Sequence, residues 1–153
     1  MSLVPLDTIL LVEDDRGHAI LLTKALRRAY ITNPITTLHD GQDAVDCLCA
    51  TGSSTGGAPA LPLLMLLDLR LPGLDGLHVL QWVRANRRTS SLPVILVSAV
   101  DAPPDLDQCV ALGCRGVLTK PAQGAQVLDA MRHLVHDHAA FSEIIRCASL
   151  AHP

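Results

Sequence analysis

Residues 63–76, LLMLLDLRLPGLDG, decide the fold. The run 63–67 has no polar alternation, which is the pattern of a strand covered on both faces, as in a parallel sheet packed between helices. It ends in a carboxylate, Asp68, and a Pro72-Gly73 turn and a helix start follow at once. Asp68 is thereby expected at the C-terminal edge of the sheet, where open α/β folds bind ligands and do chemistry. Asp is also a common turn opener. On this segment alone the two roles stand level, and the other strand ends must separate them.

The chain of 153 residues is about one domain's worth and can bury a core without staples. It is 49% hydrophobic, with a mean hydropathy of +0.33 but one Trp, one Tyr and one Phe, so the core must be aliphatic. No apolar run approaches the roughly 18–20 residues of a membrane span, and residues 1–11 lack the basic start and cleavage pattern of a secretory signal. A cytoplasmic protein with no membrane partner is expected. The net charge of −3, with no basic run, argues against direct nucleic-acid binding. Five cysteines, odd in number and without C-x-x-C spacing, read as reduced thiols and not as a disulfide or zinc framework.

Residues 8–12 form a second apolar run, and it too ends in carboxylates, Glu13-Asp14-Asp15. A helical pattern starts at Gly17, with Ile20, Leu21, Lys24, Ala25, Arg28 and Ala29 as its stripe, and stops at Asn33-Pro34. Residues 35–38 are strand-like, and Asp40-Gly41 opens a helix carrying Ala44, Val45, Leu48 and Cys49. The low-complexity segment 51–62 reads as a loop. Its Gly52 and Gly57 have P-loop spacing, but Ala58 stands where the Lys is needed and the segment follows a helix.

Beyond the central stretch, Asp75 is a candidate N-cap for a helix bearing Val79, Leu80, Trp82 and Val83 that ends near Asn86. Residues 94–97 form a fourth strand before Ser98-Ala99. A helix is predicted over 103–112, with Val110 and Leu112 on it and Gly113 as its stop. Residues 116–119 form a fifth strand before Lys120-Pro121, and a helix over 123–136 carries Val127, Leu128, Met131, Leu134 and Val135. Five strand–helix units predict a parallel sheet with right-handed crossovers.

The strand ends together supply Glu13, Asp14, Asp68, Ser98 and Lys120. Three carboxylates at one edge repel one another, and a hard, oxygen-loving divalent cation would neutralise them while leaving room for phosphate oxygens. A carboxylate beside that cation can attack phosphorus, with an ammonium stabilising the transferring group. Asp15 reads as a first-turn carboxylate favoured by the helix dipole.

The motifs VEDD (12–15), LLDLRLPGLDG (66–76), VSA (97–99) and TKP (119–121), in this order and strand context, resemble the receiver domain of two-component response regulators. The resemblance spans 8–135. It implies a flavodoxin-like (βα)5 sheet of strand order 2-1-3-4-5, with residues 139–153 as a C-terminal helical extension beyond a receiver of residues 1–138. It implies Asp68 as phosphoacceptor and Mg²⁺, with Mn²⁺ as alternative, held by Glu13, Asp14, Asp68 and the Arg70 backbone carbonyl. Ser98, Ala99 and Lys120 would bind the phosphoryl group. The Lys120-Pro121 bond is often cis in this family. The chain would be a phosphoacceptor with self-catalysed transfer and dephosphorylation only, not an enzyme in the ordinary sense.

Two departures stand out. Receivers usually carry a switch aromatic where this chain has Val117, so output is expected to run through the Ser98 loop and the helix after it. Arg70 and Val100 would flank the attacking water and tune dephosphorylation. In the tail, Phe141, Ile144 and Ile145 recur at helical spacing and serve either a dimer arm, giving a homodimer, or packing on the chain's own domain. The long loop, the length and the tail resemble the receiver-only regulators paired with phytochromes, implying a sensor histidine kinase, a bacteriophytochrome, as phosphate donor. His133, His136 and His138 read as a solvated face and not a metal site. The alternatives are an unphosphorylated receiver-like interaction domain and an aspartate-nucleophile phosphatase of haloacid-dehalogenase type. The second wants D-x-D at the first strand, where this chain has Asp68-Leu69-Arg70 at the third.

Overall fold

The computed structural model describes residues 7–51, 61–99, 105–136 and 139–151. The elements run β1 (Ile9–Val12), α1 (Arg16–Arg28), β2 (Ile35–Leu38), α2 (Gly41–Thr51), β3 (Leu64–Asp68), α3 (Gly76–Ala85), β4 (Val94–Ser98), α4 (Leu106–Ala111), β5 (Gly116–Thr119), α5 (Gly124–Arg132) and α6 (Ala139–Ala151). All four strand pairings are parallel, in the order β2-β1-β3-β4-β5. This is the flavodoxin-like receiver topology the sequence predicts, with a C-terminal helix added. The glycine pair of 52 and 57, Val100, the 103–104 prolines and His138 lie outside the described residues.

The period of two along each strand divides the core into two layers. Ile9, Leu11, Leu64, Leu66 and Ile95 point to one face and meet α1, α5 and α6. Leu10, Val12, Met65, Leu67, Val94 and Leu96 point to the other and meet α2, α3 and Cys109 of α4. Every residue of β1, β3 and β4 is buried. Their polar C-terminal neighbours are thereby held at one edge of a rigid sheet.

Three helices differ from the sequence expectation. In α1 the buried residues are Ala19, Leu22 and Leu26, followed by Ala29, while Ile20 and Leu21 are 55% and 60% exposed. The Asp15 side chain accepts the His18 N–H at 3.0 Å as N-cap, which fixes the helix phase. The stripe that starts at Ala19 is apolar throughout, whereas the expected one carried Lys24 and Arg28. Helix α4 has only six residues, starts after the N-cap Asp105, and buries Cys109 while Val110 is 72% exposed. Helix α5 stops at Arg132, four residues before the expected 136, yet Leu134 in the following turn is still buried.

Helix α6 packs back on its own chain. Phe141 and Ile144 are buried in the layer that also holds residues of α1 and α5, and Ala148 further along the helix is buried as well. Of the three residues read as a dimer arm, Phe141 and Ile144 therefore fill this core, and Ile145 is half-buried against it. Burial of a side chain of Phe size stabilises by roughly 2–3 kcal/mol, so α6 is a structural part of the domain. His133 and His136 are exposed, as expected.

Candidate functional site

The predicted site residues arrive at the C-terminal ends of four strands, β1, β3, β4 and β5. Glu13 follows β1, and its N–H donates to the Leu38 carbonyl at 2.9 Å, extending the β1–β2 ladder by one bond. Its side chain is 3% exposed, while Asp14 beside it is exposed. Asp68 is the last residue of β3 and is likewise 3% exposed. Its Oδ1 accepts the Arg70 backbone N–H at 3.1 Å. The turn between Asp68 and α3 depends on two glycines: Gly73 sits at φ +69°, and a Cβ on Gly76 would run into the Asp68 carbonyl and the Leu69 backbone.

Ser98 ends β4, and its carbonyl accepts the Lys120 N–H at 2.8 Å, which brings the two strand ends side by side. The Lys120-Pro121 peptide is cis, as the resemblance implied. From there the Lys120 ammonium lies 2.9 Å from Asp68 Oδ2 and 2.8 Å from Glu13 Oε2. Ala99 is half-buried next to Ser98, and Arg70, two residues after Asp68, is exposed. Val117 lies opposite Leu96 in the sheet register, packed against the α2–α4 layer. Val100 lies outside the described residues.

Ligand oxygens of Glu13, Asp14 and Asp68 lie within 4.8 Å of one another, the only such acidic cluster found among the described residues. Burial, opposed by the Lys120 bond and reinforced by the Asp68 charge, pushes the Glu13 carboxyl from its usual 4.5 up to about 7. Burial works against the charge of Lys120, but its bonds to Glu13 and Asp68 more than compensate and raise its pKa. One ammonium among three clustered carboxylates leaves an excess of negative charge on oxygen donors. Such a donor set fits a hard divalent cation of the Mg²⁺ class.

The sequence reading missed what borders the acids. His18 Nδ1 lies 3.9 Å from Glu13 Oε1, and His39 Nδ1 is 2.9 Å from the Glu13 carbonyl. A cleft of about 240 Å³ beside Glu13 and Lys120 is walled by His18, Leu21, Leu22, Pro121 and Ala122. The signal was available in the sequence. A helix that begins directly after the acidic triplet brings its first two turns over the same edge, so residues 18 and 21–22 had to border the site.

The family profile for the response regulator receiver domain matches residues 9–132. This chain belongs to that family. The receiver is 37% identical over 113 residues to the "Probable methanogenesis regulatory protein FilR2" of Methanothrix harundinacea, covering 74% of this chain and 71% of that protein. It is 33% identical to the transcriptional regulatory protein YkoG of Bacillus subtilis over 90% of this chain, but spans only 54% of that regulator. Among solved structures, the bacteriophytochrome response regulators RtBRR and AtBRR each share 34% identity, with TM-scores of 0.73 and 0.72. The first match covers 84% of this receiver and 77% of RtBRR, the second 84% and 91% of AtBRR. The phosphorylated cyanobacterial phytochrome response regulator RcpA is 26% identical at a TM-score of 0.64, over 91% of this receiver and 89% of that chain. Receiver domains are in general phosphoacceptors of two-component systems, not enzymes in the ordinary sense, and bind Mg²⁺ at an acidic pocket like this one. Membership weighs against the haloacid-dehalogenase-type phosphatase. No helix among the described residues is long and apolar enough to cross a membrane.

Proposed function

We propose that this receiver accepts a phosphoryl group on Asp68 from the phosphohistidine of a sensor kinase. The observation that carries the reading is the grip of Lys120 on Asp68 and Glu13 at once, with their oxygens clustered beside Asp14. In the transfer an Asp68 carboxylate oxygen forms the new P–O bond as the P–N bond to the kinase imidazole breaks, and the imidazole leaves with a proton taken from solvent. Arg70 N–H holds one acceptor oxygen in place. Lys120 stands beside the other, where it can follow the phosphoryl oxygens. Glu13, Asp14, Asp68 and the Arg70 carbonyl would hold Mg²⁺, or Mn²⁺ in its place, which withdraws charge from the transferring group when bound. Ser98 and Ala99 would meet the phosphoryl oxygens from β4.

Incubation with acetyl phosphate and Mg²⁺, followed by intact mass, tests this. Wild type gains one phosphoryl group, labile to mild base, and Asp68→Asn gains none. Equal labelling of both, or labelling without a divalent cation, overturns it, and no labelling at all favours an unphosphorylated interaction domain. Arg70 and Val100 would set the access of attacking water, so Arg70→Ala changes the dephosphorylation rate.

A bacteriophytochrome is the proposed donor, on the likeness to RtBRR and AtBRR. Leu21, which lines the cleft, and Ile20, its neighbour in sequence, are apolar and exposed and would meet the kinase's helices. With Val117 in place of the switch aromatic, output would pass through α4, whose Leu106 and Val110 are 60% and 72% exposed. A beryllofluoride-bound structure without displacement around residues 98–107 would refute that route. A homodimer would use the outward side of α6, where Leu150 is 78% exposed. Light scattering on Leu150→Arg, with and without phosphorylation, tests it. A cytoplasmic location follows from the kinase pairing.

A further inference from the structure

The end of α4 is a Schellman motif, and both of its contact positions are cysteines. Leu112 is the C-cap, and Gly113 follows at φ +70°. The Gly113 N–H donates to the Val110 carbonyl at 2.9 Å and the Cys114 N–H to the Cys109 carbonyl at 3.0 Å. These are the two bonds that define the motif, and they bring the side chains at its first and last positions together. Ordinarily an apolar contact forms there. In this chain both positions are cysteines, and Cys109 and Cys114 sit in the same apolar layer. The backbone bond between the pair also draws their α-carbons into the range that disulfides span.

The surroundings divide the labour between the two sulfurs. Cys109 is fully buried, and burial together with the Cys114 neighbour pushes its thiol pKa up. Cys114 is half-exposed and interacts electrostatically with the Arg84 guanidinium. Cys114 is thus the sulfur of the pair that an oxidant in solution reaches first. Arg84 also fixes the turn, donating to the Leu112 carbonyl at 2.7 Å and the Gly113 carbonyl at 2.9 Å.

We propose that Cys109 and Cys114 are a redox-responsive dithiol that small-molecule disulfides convert to an intramolecular disulfide. The Cys114 thiolate attacks one sulfur of the oxidant, forming a mixed disulfide and releasing one thiol. Cys109 then gives up its proton and attacks the Cys114 sulfur, releasing the second thiol. The pair loses two electrons and two protons, and the oxidant is reduced to two thiols. The bridge would tie the last turn of α4 to the lead-in of β5, across a turn already closed by two backbone hydrogen bonds. The site needs neither Asp68 nor a phosphoryl group, so it stands or falls apart from the function proposed above.

The test is incubation of the folded full chain with oxidised glutathione, alkylation of the remaining thiols, and peptide mapping. Wild type should yield a 109–114 linked peptide without glutathione on either sulfur, while the exposed Cys49 and Cys147 take up adducts. Cys109→Ser should trap glutathione on Cys114, and Cys114→Ser should leave Cys109 unmodified. Asp68→Asn should bridge at the wild-type rate. A stable glutathione adduct on Cys114 of the wild type overturns the proposal. So does recovery of both 109 and 114 as alkylated thiols once Cys49 has reacted.

Discussion

The Lys120 ammonium sits 2.9 Å from Asp68 Oδ2, joining residues 52 positions apart in the chain. Neither strand end makes a site alone. The sheet order puts β1 between β2 and β3, and β4 between β3 and β5, so Lys120 must reach across the end of β4 to its two carboxylates. A side chain of Lys length suffices for this, and a shorter one does not.

Lys120→Met removes a cation that pairs with two buried carboxylates, Glu13 and Asp68. We expect a loss of about 1–3 kcal/mol in stability at neutral pH without divalent cation, read from urea unfolding, because the partners are left buried and unpaired. Labelling of Asp68 by acetyl phosphate should fall by about tenfold or more, as expected for loss of a charge that meets the transferring group.

The raised carboxyl of Glu13 sets a pH dependence. The folded value of about 7 lies above the ordinary 4.5, so the folded chain holds this proton more tightly than the unfolded chain. The stability it contributes is complete below 4.5 and is lost as pH rises through 7. Metal-free protein should therefore lose stability on the order of 2–3 kcal/mol from this group between mildly acidic and mildly alkaline buffer. Glu13→Gln should flatten that slope, and Mg²⁺ should restore stability at the alkaline end. A slope unchanged by Glu13→Gln would refute the assignment.

Arg84 binds four carbonyls from two segments: Ser90 at 2.9 Å, Leu92 at 2.7 Å, Leu112 at 2.7 Å and Gly113 at 2.9 Å. A lysine has no planar fork with which to reproduce this pattern. Arg84→Lys and Arg84→Met should both destabilise by about 2–4 kcal/mol in chemical denaturation, with Lys recovering little of the loss.

Leu21→Glu places a charge beside the cleft without touching the acids. Transfer from a bacteriophytochrome kinase should slow by about tenfold, the effect of losing one buried apolar contact, while labelling by acetyl phosphate stays at the wild-type level. Equal loss in both assays would mean that Leu21 acts on the site and not on docking.

The strands and the acidic edge were legible in the sequence because their signals are short-range. Residues 64–68 and 94–98 are unbroken apolar runs that end in a polar residue, and such runs have few readings once they alternate with helices. The helical faces were harder. Ile20 and Leu21 are as apolar as Leu22, and only the N-cap at Asp15 determines which of them turns inward. The expected helix ran through Val110 and Leu112 with no inward face assigned; a helix of six residues has one buried position, and Cys109 takes it. The division of α6 between its own core and a partner depends on a surface supplied by α1 and α5, more than a hundred residues earlier in the case of α1. No local pattern encodes that choice.

The match to the receiver family ends at residue 132, whereas the buried layer continues to Ile144. Ancestry and folding thus draw different borders on this molecule. The chain's single phenylalanine lies in the margin between them, at 141. A receiver trimmed at the inherited border would strip cover from the layer that holds Val127, Met131 and Leu134 together with Ala19, Leu22 and Leu26 of α1. A helix beyond that border has become part of the core on which the helix after the acidic triplet packs.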